Sequence, residues 1–198
     1  MDWHQIITLE RVMIMKKLFD YLYKIYKRTI RKDFLRDLIN NGLLVGKNFH
    51  MSDSVLIDVS HCWHITIGDY VTLAPRVHIL AHDASMRRHL NFTKVGKVII
   101  GNYVFIGASS IILPGVCIGN NVIIGAGSVV SRDIPDNVVA AGNPAKVLGS
   151  IDDFLVRKKE ELERFPRFGK EYTVTFGITD ERKKEMNEKM DDRYGYIV

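Results

Sequence analysis

Between Ile100 and Ile134 the apolar residues of this chain return with a period of six. Ile100, Ile106, Ile112, Ile118, Ile124 and Val130 form one series; Val104, Ser110, Val116, Val122, Ser128 and Ile134 form a second, four positions after the first. A helix would repeat every three or four residues and a half-buried strand every two. Two inward sites in six residues describe a short flat strand followed by a corner, and three such units close one turn of a triangular parallel β-helix. Gly101, Gly107, Gly119 and Gly125 directly follow the aliphatic residue, where the backbone is expected to bend and a Cβ to be unwelcome. Asn102, Asn120 and Asn121 beside them tolerate turn conformations. A sandwich of short strands is the alternative, but it would show a period of two between turn signals about 8–12 residues apart.

Upstream the pattern restarts in another phase, with Ile67-Gly68-Asp69-Tyr70-Val71, Leu73 with Val77, and Ile79; Val45-Gly46, Met51 and Ile57 give a weaker version. The phase slips between Ile57 and Ile67, and again by a longer insertion between Ile79 and Ile100. A solenoid tolerates such slips as loops leaving its corners, because each coil needs only its neighbours. Residues 43–147 are therefore assigned to the β-helix, with a loop insertion over 84–97. Residues 1–42 read as a helical segment in which Leu18, Leu22, Ile25 and Ile30 alternate with Lys16, Lys17, Lys24, Lys27 and Arg28, ending at Asn41-Gly42. Residues 148–198 read as a helical tail: a helix over Asp152 to Phe165 stopped by Pro166, a β-rich piece from Tyr172 to Phe176, and a helix over Asp180 to Asp192.

Composition narrows the picture. With 46% hydrophobic residues in 198, the chain can bury a core in one main domain. Its net charge of +5 is spread along the sequence, which argues against nucleic acid as a partner. Cys62 and Cys117 have no zinc-knuckle spacing and read as free thiols of a reducing compartment. Met1 to Asn41 is too charged for a secretory signal, and no apolar run approaches the roughly 18 residues of a membrane span, so the expected location is the cytoplasm. The basic N-terminal segment is read as a cap on the solenoid in preference to a helix lying on a membrane.

Candidate chemistry gathers where the repeat fails. In the hexad starting at Ile79, Ile79 and Asp83 occupy the inward positions and His82 an outward one, at the mouth of the irregular run Met86-Arg87-Arg88-His89-Leu90-Asn91-Phe92. Excursions from a regular scaffold are where functional groups are placed.

Ile65-Thr66-Ile67-Gly68-Asp69, Leu73-Ala74-Pro75, Ala81-His82-Asp83, Ile124-Gly125-Ala126-Gly127-Ser128-Val129-Val130, Asp133-Ile134-Pro135 and Ala141-Gly142-Asn143-Pro144-Ala145-Lys146 together resemble the hexapeptide-repeat acyltransferases. Within that superfamily the chain is similar to the galactoside, maltose and capsular-polysaccharide O-acetyltransferase branch, over roughly residues 45–148. The resemblance implies an all-β core formed by a left-handed parallel β-helix of hexapeptide repeats, assembled as a homotrimer with active sites at the subunit junctions. It implies acetyl-CoA as co-substrate, no metal, and a saccharide or other small-molecule acceptor. A sugar hydroxyl is a poor nucleophile at neutral pH, and an imidazole with an ordinary pKa near ~6.5 is available to deprotonate it. His82 is the expected base, and its second nitrogen needs an orienting acceptor, for which Asp58 and Asp83 are the nearest carboxylates. The resemblance further points to the backbone N–H of Ala108, in the Phe105-Ile106-Gly107-Ala108 turn, for the oxyanion. It also points to Ala108, Gly125 and Ala126 along the pantetheine groove, and Ser131, Arg132 and Lys146 are candidates for the phosphates. Trp63 and His64 fall in the region that builds the family's acceptor pocket, and Arg87 on the insertion is a candidate contact for an acidic sugar.

Two further readings stay open. The same base would serve an amine acceptor such as an amino-sugar nucleotide. More remotely, trimeric β-helix carbonic anhydrases set three histidines around zinc, and this chain offers His61, His64, His78, His82 and His89, although their separations differ from that pattern.

Overall fold

Every residue of both six-period series is buried; Ile134, the most exposed, is 5% accessible. The computed structural model describes residues 15, 16, 18, 19, 21, 33–190 and 193–198. Much of the expected N-terminal helix, including Lys17, Leu22, Lys24, Ile25, Lys27, Arg28 and Ile30, lies outside the described residues. Residues 33–40 are helical, and Leu38 from this segment is buried in the same apolar cluster as Leu43 and Cys62.

Each hexad supplies two or three residues of strand, and the strands stack into three faces. The first holds Leu44–Val45, Ile65–Ile67, Val98–Ile100 and Cys117–Ile118. The second holds His50–Met51, Thr72–Leu73, Val104–Ile106, Val122–Ile124, Val138–Gly142 and Ala145–Ser150. The third holds Leu56–Ile57, His78–Ile79, Ile111–Ile112 and Val129–Val130. Successive coils pair in parallel and in register, so inward residues form columns. Ile57, Ile79, Ile112 and Val130 make one; Met51, Leu73, Ile106, Ile124 and Ala140 make another. Branched aliphatics suit this interior because a stiff χ1 packs well on a pleated, fully buried face. The two serines in the series are also buried, and both hydroxyls donate to the Gly125 carbonyl, at 3.0 Å from Ser110 and 2.6 Å from Ser128.

The corner glycines are needed for a different reason from the one expected. Gly101, Gly107, Gly119 and Gly125 do not have positive φ. What they provide is close approach: a Cβ on Gly101 would lie 2.6 Å from the carbonyl oxygen of Gly119 in the next coil. The left-handed backbone falls two positions after Gly68, Gly101 and Gly119, at Tyr70, Tyr103 and Asn121 with φ of 57°, 57° and 54°, and two after Pro135, at Asn137 with φ 59°. Between glycine and left-handed residue stands a side-chain ladder. The backbone N–H of Lys47 donates to Asp69 at 2.8 Å, that of Asp69 to Asn102 at 2.8 Å, that of Asn102 to Asn120 at 2.9 Å, and that of Asn120 to Asp136 at 2.6 Å. Asn102 and Asn120 are thus ladder acceptors, and Asn121 alone of the three asparagines serves a turn conformation.

Residues 149–198 form a second compact unit. Its first helix, Ile151–Arg164, is capped by Ser150, whose hydroxyl accepts from the Asp153 N–H at 3.0 Å. Arg167–Phe168 pairs in parallel with Tyr196–Ile197, and the Tyr196 hydroxyl donates to Glu161, which pushes the phenol up to about 12. The expected β-rich piece is instead two 3-10 turns, Lys170–Tyr172 and Val174–Phe176. Local bonds close these turns: the Thr173 hydroxyl donates to the Lys170 carbonyl at 2.7 Å, and Gly177 ends the second turn at φ 72°. A last helix covers Asp180–Met190.

Close coil approach predicts a sharp contrast between glycines. Gly101→Ala should cost about 1–3 kcal/mol, because backbone must shift to admit the methyl. Gly149→Ala, with nothing within 4 Å of its Cβ position, should be near neutral in the same urea titration.

Candidate active site

The two breaks in the repeat lie at one corner of the prism. Ile57 pairs with Ile79, so the chain departs from the first coil at Asp58 beside the point where it departs from the second at Leu80-Ala81; the Asp58 N–H donates to the Ile79 carbonyl at 2.9 Å. The first departure is short and ends in the 3-10 turn Cys62–His64, anchored by the buried Cys62. The second is long. His82–Asp83 pairs antiparallel with Lys94–Val95, a single helical turn spans Arg87–Leu90 and stops at Asn91 with φ 59°, and Gly96 N–H returns to the Ala81 carbonyl at 2.9 Å. In the next coil the equivalent corner is the tight turn Leu113-Pro114-Gly115, with Gly115 at φ 91°. The returning leg lies directly on it: a Cβ on Gly96 would be 2.6 Å from the Gly115 nitrogen.

At this corner the Asp58 side chain is almost fully buried, with 1% of its surface accessible. One carboxylate oxygen accepts from the N–H groups of Ser60 and His61 at 3.1 and 3.2 Å; the other accepts from the Ala81 N–H at 2.9 Å and faces His82 Nδ1 at 2.5 Å. Burial pushes this carboxyl up, but the bond from His82, the N–H of Ala81 and the neighbouring imidazole outweigh it and hold Asp58 below the ordinary value of 3.8. An ionised carboxylate only accepts, so Nδ1 of His82 carries a proton, and in the neutral imidazole the lone pair is on Nε2. The His82 side chain is 32% exposed, which leaves the ring open to a ligand.

Asp83 departs from its expected place. It does not point inward: it stands exposed on the excursion and is held below the usual carboxylate range chiefly by the Ser85 N–H, which it accepts at 2.8 Å. The inward periodicity ends at Ala81, where the backbone leaves the coil, so of the two candidate carboxylates it is Asp58 that meets His82.

A shallow pocket of about 280 Å³ opens beside His82, lined by Leu80, Asp83, Lys94, Leu113, Pro114 and Ser131 among others. Ser131 therefore shares the corner with His82. Trp63 and His64 reach it through His61: the His61 ring centroid is 4.8 Å from that of His82, 5.3 Å from Trp63 and 6.3 Å from His64. Arg87 lies out on the helical turn and does not line the pocket. Phe105 lies on the second face, half exposed, and Ala108, Gly125 and Ala126 on the corner between the second and third faces; within one chain they do not join His82. Arg132 and Lys146 are exposed and outside the pocket. Lys94, a basic residue of the insertion like Arg87, does line the pocket, and His61, which the sequence offered only to the zinc reading, packs on His82. His61 stood in the first irregular stretch, and that irregularity was its signal.

Zinc does not fit this cluster as it stands. Among the described residues, Asp58, His61 and His82 bring one donor atom each within 4.8 Å. Ligands at the usual zinc distances in a tetrahedral site stand about 3.3 Å apart, whereas Asp58 and His82 are 2.5 Å apart and already hydrogen-bonded to one another. His64, His78 and His89 lie outside the cluster.

The family model for bacterial transferase hexapeptide (six repeats) matches residues 97–132. Protein CapG of Staphylococcus aureus is 37% identical over 185 residues, spanning 91% of this chain and 99% of CapG. The galactoside O-acetyltransferase of Escherichia coli K12 is 41% identical over 118 residues, 57% of this chain and 56% of that enzyme. The crystal structure of a maltose O-acetyltransferase from Clostridium difficile 630 aligns over 61% of this chain and 74% of its own at 36% identity, with a TM-score of 0.49. The repeat match and the stacked coils establish the expected fold class, an all-β left-handed parallel β-helix of hexapeptide repeats with helical segments at both ends.

The buried carboxylate yields a prediction about stability. Asp58→Ala strands the N–H groups of Ser60, His61 and Ala81 and should cost about 2–4 kcal/mol. Because the folded carboxyl lies below its unfolded value, the wild-type advantage is full above that unfolded value and is lost as pH falls through the folded one. Urea titrations of both proteins should therefore converge only below the ordinary 3.8.

Proposed function

We propose that this chain, which belongs to the hexapeptide-repeat bacterial transferases, carries acetyl groups from acetyl-CoA to a saccharide hydroxyl with His82 as general base. The observation that carries the reading is the Asp58–His82 pair: a buried, fully bonded carboxylate that fixes the imidazole's tautomer and leaves its second nitrogen beside an open pocket. Kinship with a galactoside O-acetyltransferase supports both the acetyl donor and the alcohol acceptor.

In this reading His82 Nε2 takes the acceptor hydroxyl's proton as the oxygen attacks the thioester carbonyl. The tetrahedral intermediate then collapses to the acetyl ester, and the departing CoA sulfur takes the proton back from the imidazolium. Asp58 stabilises that imidazolium and holds the ring's orientation throughout. The donor groove is assigned to the seam between two copies in a homotrimer. There the His82 corner of one chain meets the Phe105, Ala108, Gly125 and Ala126 column of a neighbour, with Ala108 N–H supplied to the oxyanion. Ser131, Arg132 and Lys146 are assigned to the CoA phosphates, Trp63, His64 and Arg87 to the acceptor, and the cytoplasm to the protein.

His82→Ala should lower turnover by about 10²–10⁴-fold with folding intact, read as free thiol released from acetyl-CoA over a panel of saccharide acceptors. The product should be an ester; an amide on an amino-sugar nucleotide would replace the O-acetyl reading with N-acetyl transfer. Sedimentation equilibrium should return three times the chain's mass, and a monomer retaining full turnover would overturn the shared-seam assignment.

A further inference from the structure

His61 has a buried nitrogen that nothing in the reaction above uses. Its Nδ1 is shielded from solvent and has no hydrogen-bond partner. Oδ1 of Asp58 stands 3.9 Å from it, beyond hydrogen-bond reach. The residue's own backbone N–H bonds that same oxygen at 3.2 Å. Its ring lies 4.8 Å from that of His82 with a 41° tilt. A position that existed only to pack would favour a side chain with no polar atom to strand.

We propose that His61 is a positioning residue for His82: packed on the His82 ring and set against the second oxygen of Asp58, it makes the two imidazoles share one carboxylate. The inference rests on His82 being the base of the proposed transfer. A lone pair on Nδ1 would oppose the carboxylate oxygen, so the proton belongs on Nδ1 of His61, as it does on Nδ1 of His82. Asp58 then faces an N–H dipole on each side. When His82 gains the acceptor's proton, a neutral His61 leaves the new imidazolium undisturbed. A protonated His61 would set a second cation 4.8 Å from it and oppose the transfer. The His64 ring is stacked on His61 at 6.3 Å with 9° between planes, and Trp63, which carries no charge, lies 5.3 Å from it.

The test is the titration of His82 followed by NMR on the full-length, histidine-labelled protein, alongside the pH profile of kcat/KM. His61→Phe keeps a flat ring against His82 and removes the second cation. The His82 midpoint should rise, and the acid limb of kcat/KM should move up with it. His61→Asn, which is smaller and keeps a polar side chain, should give the same rise if His61→Phe fails to fold. A His82 curve superimposable on wild type in a folded variant would overturn the proposal, since a purely structural residue would leave that titration unmoved. If the wild type moves no acetyl group yet the His82 curve shifts as described, the acetyl-transfer reading fails and the pairing of the two imidazoles stands.

Discussion

Parallel stacking of one coil on the next governs the rest of this structure, because backbone N–H and C=O groups at each level are satisfied by the levels on either side. That arrangement leaves little freedom in the interior. Inward positions must repeat in register, corners must let backbones approach, and each corner N–H needs an acceptor from the neighbouring level. The columns through Ile79 and Ile106, the glycine at position 101 and the Asp69-Asn102-Asn120-Asp136 ladder answer these three requirements in turn.

The same constraint builds the site. A loop can leave a coil only at a corner, and two loops leaving the same corner on adjacent levels are held one coil spacing apart. Asp58 begins one loop and His82 stands at the start of the other, so their proximity is imposed by the ladder. Burying a carboxylate is costly unless it is well bonded, and the four donors around Asp58 are supplied by these departing segments: Ser60 and His61 from the first, Ala81 and His82 from the second. The backbone thereby fixes the His82 imidazole before any ligand arrives.

What the sequence made legible follows from where the physics is periodic. The inward series could be read residue by residue, because a sixfold repeat has no other use. Gly101 could be marked but not explained: bending and close approach both favour glycine, and the choice depends on the neighbouring coil. Asp83 was misplaced because the period was extended one corner past the residue where the chain leaves it. Tyr172 to Phe176 has strand-forming residues, but the local bonds of Thr173 and Gly177 close it into turns. His82 was legible as the residue at a break, whereas the role of His61 depends on a ring packed across two loops, which no spacing reveals.

One consequence concerns the residues that the single chain keeps apart. His82 and Ser131 share the corner that follows the third face, and Ala108 and Ala126 lie on the corner that precedes it. In a triangular prism two different edges cannot face one another; they meet only when a second prism is set alongside. Leu44, Leu56, Ile99 and Phe105 also present large apolar side chains outward from the three faces, where a solitary solenoid would gain nothing from them. The proposed seam between copies would account for both facts, since it would cover apolar surface and bring the small-residue column of one chain to the imidazole of the next. The proposed trimer is therefore part of the chemistry: a donor groove needs two edges, and each chain supplies one of each kind.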